Sequence, residues 1–164
     1  MSEKYCTECG SALTKRVLKN EGIIPFCQTC GEYRFPKFNA AVSMIVIDEK
    51  NKKILLIKQY GRPNYVLVAG YINRTECAEH AAEREISEET GLCVSSLVFN
   101  RSSFYERTNT LMFNFTAFIS DASKLHTNSE IDSCCWFTFE EARENISHGS
   151  LAEQFLTSYL DSIK

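Results

Sequence analysis

The sequence predicts an α/β domain with a mixed β-sheet, preceded by a small segment that a metal ion holds together. Strand-like and helical segments follow residue 40 in the order strands, helix, strands, helices. Two Cys-x-x-Cys pairs stand within the first 30 residues. Hydrophobic residues make up 44% and charged residues 24% of the 164 residues, which is enough for a packed core and excludes a disordered chain.

The N-terminal segment has the cysteine spacing of a zinc site. The pairs Cys6-x-x-Cys9 and Cys27-x-x-Cys30 are each followed by glycine, which allows a tight turn behind a metal. About 35 residues cannot bury a sizeable core, so a metal staple is physically expected. Disulfides and inert thiols are the alternatives. We predict structural Zn²⁺ on Cys6, Cys9, Cys27 and Cys30, and small buried hydrophobes at the four cysteines without ligand spacing, namely Cys77, Cys93, Cys134 and Cys135.

Composition also predicts the compartment and excludes some partners. The sequence contains no apolar run near the roughly 20 residues of a membrane span, and its N-terminus has no apolar signal stretch. We therefore expect a cytoplasmic protein that does not bind membranes. The net charge of −3 excludes a basic footprint over the whole protein, although residues 1–39 carry six basic and four acidic side chains.

The elements follow in order along the chain. Residues 13–18 are strand-like, and Pro36 ends the N-terminal segment, which gives domains 1–36 and 37–164. Apolar runs predict strands at 41–47, 54–58, 65–68, 94–99, 111–119 and 134–139. Helical spacing predicts helices at 75–90, 140–146 and 151–163. Thr75 is a plausible N-cap for the first helix, and Gly91 is a plausible stop.

The first helix carries most of the negative charge. Residues 76–89 hold six carboxylates against one arginine. At about 100° per residue, Glu85, Glu88 and Glu89 fall on the same face as the alanines of this helix. Buried like charges must protonate, pair or bind cations, which favours Mg²⁺ or Mn²⁺ here. The alternative is a helix end that emerges into water with all three glutamates exposed.

The residues around this helix resemble the Nudix hydrolase family. Gly70, Glu76 and the run from Arg84 to Leu92 (Arg-Glu-Ile-Ser-Glu-Glu-Thr-Gly-Leu) match the Nudix box at every position. The resemblance implies an α/β/α sandwich and Mg²⁺- or Mn²⁺-dependent cleavage of nucleoside diphosphates linked to another moiety. It implies Glu85, Glu88 and Glu89 as metal ligands, with Glu85, Arg84 and Glu88 as the catalytic group. Gly70 and Glu76 would shape the loop and the start of the helix.

A zinc ribbon joined to a Nudix domain is similar to the NADH pyrophosphatase group. The run Val68-Ala69-Gly70-Tyr71 resembles the Leu-Ala-Gly-Phe of that group, which implies the Ala69 carbonyl as a metal ligand. Glu130 stands where the group has a further metal-binding glutamate, although a surface-loop role is the alternative. Phe35 and Ala152 fall where the group contacts substrate. Phe35 could instead be a core aromatic residue.

The chain departs from this group after the box. The group has Ser-Gln-Pro-Trp-Pro-Phe-Pro-x-Ser, whereas residues 102–110, which we expect to form a loop, keep only the first serine and a final hydroxyl. Charged side chains replace the rigid aromatic surface and could contact a different substrate group. The predicted substrate-binding residues of this segment are Ser103, Glu106, Arg107 and Thr110.

Three alternative functions are consistent with the sequence. The first is a metal-dependent pyrophosphohydrolase acting on an ADP-ribose, dinucleotide or nucleotide-sugar type of substrate. The second is cleavage of NAD(H) or of NAD-capped RNA, the one nucleic-acid partner that the resemblance allows. The third is a non-catalytic regulatory module that binds a nucleotide. The resemblance also implies a homodimer.

Overall fold

The computed structural model describes residues 4–163, and the chain divides into two compact units, Met1–Phe38 and Asn39–Lys164. The first unit is a three-stranded antiparallel sheet of β1 (Thr14–Leu18), β2 (Gly22–Cys27) and β3 (Glu32–Tyr33), with β2 in the middle. Phe26 and Tyr33 pack edge to face with ring centroids 5.0 Å apart. Only three apolar side chains of this unit, those of Cys6, Phe26 and Cys27, are fully buried among the described residues, so the core of the unit is small.

The second unit is built on a six-stranded sheet. Its strands are β4 (Asn39–Asp48), β5 (Lys53–Gln59), β6 (Val68–Tyr71), β7 (Val94–Tyr105), β8 (Thr110–Ile119) and β9 (Ile131–Phe137). They are arranged in the order β7-β8-β4-β5-β9, and β6 pairs with the first half of β4. β4 runs parallel to β8 and antiparallel to β5 and β6. The predicted mixed sheet is confirmed.

Helices cover both faces of this sheet. α1 (Ala78–Thr90) packs on one face, while α2 (Phe139–Asn145) and α3 (Leu151–Ser162) pack on the other. Successive side chains of a strand point to opposite faces. Met44 and Val46 of β4 therefore join the core under α1, and Ile45 and Ile47 join the core under α2 and α3. This is the predicted α/β/α sandwich, and it explains why residues 41–48 of β4 are all buried.

Several element boundaries differ from the prediction. α1 begins at Ala78 with Cys77 as its N-cap, so Thr75 is not the cap. Thr75 lies in the preceding loop with a φ of 71°, and that loop is shaped by tertiary contacts of Glu76 rather than by helix capping. Gly91 ends the helix as predicted, with a φ of 65° and its N–H donating to the Ser87 carbonyl at 2.9 Å.

Two sheet predictions are also corrected. The strand expected at 65–68 lies at Val68–Tyr71, because its partner on β4 is Ala41–Met44. The segment 102–110 is not a loop: β7 continues to Tyr105, a 3-10 turn covers Glu106–Thr108, and β8 begins at Thr110. Strand pairing with β8 holds the polar end of β7 in extended form, although its sequence has few of the apolar residues of a core strand.

The cysteines outside the first unit are mostly not core residues. Cys77, Cys93 and Cys135 are exposed and Cys134 is half-buried, which corrects the prediction that all four are buried hydrophobes. Their positions at a helix cap, near a strand start and on the outer strand β9 account for this exposure. Among the helices of residues 4–163, none is both long enough and apolar enough to cross a membrane.

Candidate active site

Helix α1 presents its carboxylates at different depths. Ala81, Ala82 and Ile86 are fully buried and fix one side of the helix against the sheet. Glu89 shares this side and is only 4% exposed. The side chain of Glu85 is 14% exposed, whereas that of Glu88 is 59% exposed. The prediction that all three glutamates face inward is therefore wrong for Glu88, because more than half of its side chain is in contact with solvent.

Arg84 connects the carboxylates that lie around it. Its guanidinium donates two parallel hydrogen bonds to Glu76, at 2.8 and 2.9 Å. The same group donates to Glu85 at 2.8 Å, to Glu88 at 3.0 Å and to the Tyr71 carbonyl at 3.0 Å. The bond from Arg84, with help from the Asn73 N–H, lowers the pKa of Glu76 to about 2. Arg84 thus fixes the loop before α1 to the helix and orients Glu85.

Glu89 is the carboxylate that Arg84 does not reach. Its Oε2 is buried and has no hydrogen-bond partner among the described residues. Burial, followed by the nearby charges of Glu85, Glu130 and Glu88, raises the pKa of Glu89 to about 7. A buried carboxylate oxygen surrounded by other carboxylates is the donor set that a hard divalent cation takes. The donor chemistry of these residues therefore suits a Mg²⁺ or Mn²⁺ ion, although within residues 4–163 no three of these carboxylates have oxygen atoms all within 4.8 Å of one another.

Glu130 reaches this cluster from another part of the chain. It lies in the turn before β9, and Tyr60 lies just after β5, the strand that pairs with β9. The Tyr60 hydroxyl donates to Glu130 Oε2 at 2.6 Å, and that bond raises the pKa of Tyr60 to about 12. Tyr60 is not predicted from the sequence, since only the pairing of β5 with β9 brings together residues that are 70 positions apart.

The carboxylates line a cleft of about 540 Å³ between the sheet and α1. Ala69 on β6 and Thr110 at the start of β8 also line it. All predicted metal ligands of the second unit line this one cleft, namely Ala69, Glu85, Glu88, Glu89 and Glu130. Aromatic and amide side chains that sequence reasoning did not select complete the wall, among them Gln59, Tyr71 and Tyr105.

The other predicted substrate residues of the second unit do not line this cleft. Arg107 lines a neighbouring cavity. Ser103 is half-buried on β7 and Glu106 is exposed, and neither lines either cavity. Ala152 packs against the core under α3. Phe35 is an exposed residue of the first unit.

Gly70 provides the space that Glu85 occupies. A Cβ atom built on Gly70 would overlap the carboxyl group of Glu85. Gly70 lies on β6, paired with Val42 of the buried strand β4, so the backbone has little freedom to withdraw. The glycine of the box is thus required by the close approach of a side chain and not by an unusual backbone angle.

We expect Gly70→Ala to weaken divalent metal binding and lower hydrolysis by about tenfold to 100-fold, because a positioned ligand must move. Titration with Mn²⁺, followed by its paramagnetic signal, measures the affinity, and thermal unfolding shows whether the variant is folded. A folded variant with the metal affinity and activity of the wild type would contradict this role of Gly70.

The four cysteines of the first unit form a second possible metal site. Their sulfur atoms all lie within 4.8 Å of one another. The Cys6–Cys30 and Cys9–Cys27 sulfur separations are 3.9 and 3.5 Å. A zinc tetrahedron with bonds of about 2.3 Å has sulfur–sulfur edges of about 3.8 Å, so the arrangement fits Zn²⁺. The hydrogen bond from Arg34 lowers the pKa of Cys6 to about 6, which favours its thiolate.

Residues 37–157 match the family model described as the NUDIX domain. The chain belongs to the Nudix family. This confirms the resemblance inferred from the box.

Curated relatives align with most of this chain. The "NAD-capped RNA hydrolase NudC" of Vibrio atlanticus is 24% identical over 99% of this chain and 60% of its own length. The protein of that name from Haemophilus influenzae is 27% identical over 99% of this chain and 62% of its own length. "Nudix hydrolase 19, chloroplastic" of Arabidopsis thaliana is 29% identical over 88% of this chain and 34% of its own length. The chain thus spans less than two thirds of the length of these relatives.

Solved structures support the fold. A Nudix hydrolase from Nitrosomonas europaea aligns with a TM-score of 0.67 and 20% identity, covering 98% of this chain and 92% of its own. The Nudix domain of Shewanella oneidensis NrtR, solved with ADP ribose, aligns with a TM-score of 0.65 and 15% identity, covering 79% of this chain and 91% of its own. At such identities, these structures establish the fold alone.

Proposed function

We propose that this protein is a metal-dependent pyrophosphohydrolase that cleaves the phosphoanhydride of a nucleoside diphosphate linked to another moiety. One observation carries the proposal: Glu89 keeps a buried, unpartnered oxygen in a cleft that it shares with Glu85, Glu88 and Glu130. Such a cluster repels a pyrophosphate unless cations reverse its charge. The cleft of about 540 Å³ is large enough for a nucleotide-sized ligand.

The residues of the cleft would have three different roles in hydrolysis: binding the metal, positioning Glu85 and accepting a proton. Glu85, Glu88, Glu89, Glu130 and the Ala69 carbonyl would hold Mg²⁺ or Mn²⁺. A bound cation would neutralise the phosphate oxygens and lower the pKa of a water molecule. Arg84 holds Glu85 in place through a hydrogen bond of 2.8 Å. Glu85 or Glu88 would accept the proton of the attacking water as the P–O–P bond breaks, which leaves two phosphate monoesters.

The first test is a substrate panel of ADP-ribose, NADH and a nucleotide sugar with Mg²⁺ or Mn²⁺. We expect two monophosphates from at least one substrate, detected by phosphorus NMR. Reaction in ¹⁸O-labelled water then identifies the phosphorus atom that is attacked. Folded, metal-loaded protein that is inactive on the whole panel would contradict the proposal, and calorimetry showing tight binding without turnover would favour a non-catalytic nucleotide-binding module.

Cleavage of NAD(H) or of NAD-capped RNA is the second candidate. It is supported by the relatives named NAD-capped RNA hydrolase, which align over 99% of this chain and therefore include the cysteine segment. The different residues at 102–110 argue against the substrate preference of that group. Comparing the rates on NADH, a short NAD-capped RNA and ADP-ribose decides between the two. A homodimer and a cytoplasmic location stay predictions.

We also propose that the cysteine cluster binds a structural zinc ion. Cys6 and Cys9 lie at the turn before β1, whereas Cys27 ends β2 and Cys30 lies in the turn that leads to β3. The Gly10 and Gly31 N–H groups donate to the Cys6 and Cys27 carbonyls and close these turns. The ion would replace the hydrophobic core that this unit lacks. No part in hydrolysis is assigned to it.

A further inference from the structure

A second cavity, of about 400 Å³, adjoins the carboxylate cleft. The two cavities share Gln59 and Tyr105 as lining residues. The walls of the second cavity come from the loop after β5, the 3-10 turn after β7 and the turn 147–150 before α3. A ligand that fills the cleft can therefore extend past Gln59 into the second cavity.

The two cavities differ in charge. Among residues 39–163, four glutamates and no basic side chain line the cleft, whereas Arg62 and Arg107 and no carboxylate line the second cavity. Within residues 4–163, neither arginine side chain takes part in an ion pair or hydrogen bond. Two unpaired guanidinium groups on one cavity attract an anion and match the geometry of phosphate oxygens.

Two carboxylates beside the walls of this cavity bond to groups other than the two arginines. Glu153 accepts from the Gly149 N–H at 2.7 Å, and its other oxygen lies 2.7 Å from His148 Nδ1. Asp132 accepts from the Gly61 N–H at 2.7 Å. Neither of these two carboxylates is paired with Arg62 or Arg107, so they do not neutralise the positive charge of the two arginines.

Gln59 supplies an acceptor at the junction. Its Oε1 is buried and has no hydrogen-bond partner among the described residues. An unpaired buried acceptor is costly, and a donor from a bound molecule would relieve that cost. Because phosphate oxygens cannot donate, the donor at Gln59 would be a hydroxyl group of a sugar that connects the anhydride to the second cavity.

We propose that this second cavity binds a phosphate group on a ribose hydroxyl of the substrate, outside the anhydride that is cleaved. Arg62 and Arg107 bind the phosphate, and Gln59 accepts a hydrogen bond from the same sugar. The inference rests on the proposed function for the orientation of the substrate, but the binding of the phosphate needs no hydrolysis. This site makes the enzyme selective for nucleotides that carry the additional ribose phosphate over nucleotides that lack it.

Matched substrates that differ by one phosphate test this inference. NADPH differs from NADH only by a phosphate on a ribose 2′-hydroxyl. NAD with a 3′-phosphate, compared with NAD, tests a phosphate on the ribose 3′-hydroxyl. We expect kcat/KM to be about tenfold or more higher for one of the phosphorylated compounds. Arg62→Gln and Arg107→Gln should each lower the ratio of kcat/KM between the phosphorylated and the unphosphorylated compound by about tenfold. Arg101→Gln removes a positive charge from β7, outside this cavity, and should leave the ratio unchanged.

A binding measurement separates this inference from the proposed function. With Ca²⁺ as the divalent cation, which also takes oxygen ligands, fluorescence titration with NADPH and NADH, and calorimetry with the 3′-phosphate compound and NAD, report phosphate-dependent affinity even if nothing is cleaved. Weaker binding of the phosphorylated compound by the Arg62→Gln/Arg107→Gln variant supports the site. Equal affinities within both pairs, or a preference that survives in the double variant, would overturn it.

Discussion

The variant Glu89→Gln is expected to lose about 100-fold or more of the hydrolytic activity and, without divalent metal, to be more stable than the wild type at pH 8. The loss follows because a neutral amide is a poor ligand for Mg²⁺ or Mn²⁺. The gain follows because the wild-type carboxylate is buried without a partner and has a pKa raised to about 7. A variant that is both more stable and less active indicates a site kept for function.

The pH dependence of this gain has a definite sign. A carboxyl group whose pKa is higher in the folded chain binds its proton more tightly there than in the unfolded chain. The wild type should therefore lose stability as pH rises from about 4.5 to about 7, and the loss should reach about 3 kcal/mol. The variant should lack this loss, so the two proteins should converge below about pH 4.5.

Urea unfolding of both proteins between pH 4 and pH 8, with and without Mg²⁺, measures the effect. Glu79→Gln is the matched control, since Glu79 is an exposed glutamate of the same helix. It should change neither the activity nor the slope of stability with pH. Equal free energies of unfolding for Glu89→Gln and the wild type at pH 8 would contradict the buried charge, and retained activity would contradict its role as a ligand.

Removing zinc is expected to unfold the first unit and leave the second folded. The first unit buries few apolar side chains, and zinc binding to small modules contributes about 10–16 kcal/mol of apparent free energy. The second unit has two large cores of its own, one on each face of its sheet. Amide exchange after treatment with a thiol-competing chelator should show lost protection in β1 to β3 alone.

Cys27→Ser should have the same effect as the chelator, because Cys27 is fully buried at the cluster. Cys135→Ser, at an exposed cysteine of β9, is the matched control and should leave the protein unchanged. Metal analysis should find one zinc per wild-type chain and none in the Cys27 variant. Retained zinc and retained exchange protection in Cys27→Ser would contradict the proposed site.

Local patterns determined a large part of the fold. The apolar runs of β4, β5 and β8 predicted a buried sheet, because strands covered on both faces must be apolar throughout. The end of α1 at Gly91 could be predicted because the position after a helix often takes the left-handed backbone conformation, which favours glycine. The start of α1 could not be predicted from local sequence, since the hydrogen bonds between Glu76 and Arg84 decide the path of the preceding loop.

The sequence by itself determined that this protein belongs to the Nudix fold, that glutamates of one helix carry a candidate metal site, and that four cysteines share a cluster. These features depend on short-range spacing. Only the tertiary structure decided that Glu89 is the buried, unpaired glutamate while Glu88 is exposed, that Tyr60 holds Glu130, and that Arg62 and Arg107 line one cavity. Burial and pairing depend on strands and turns that are far apart in the chain and come together in the fold, so helical spacing alone cannot predict them.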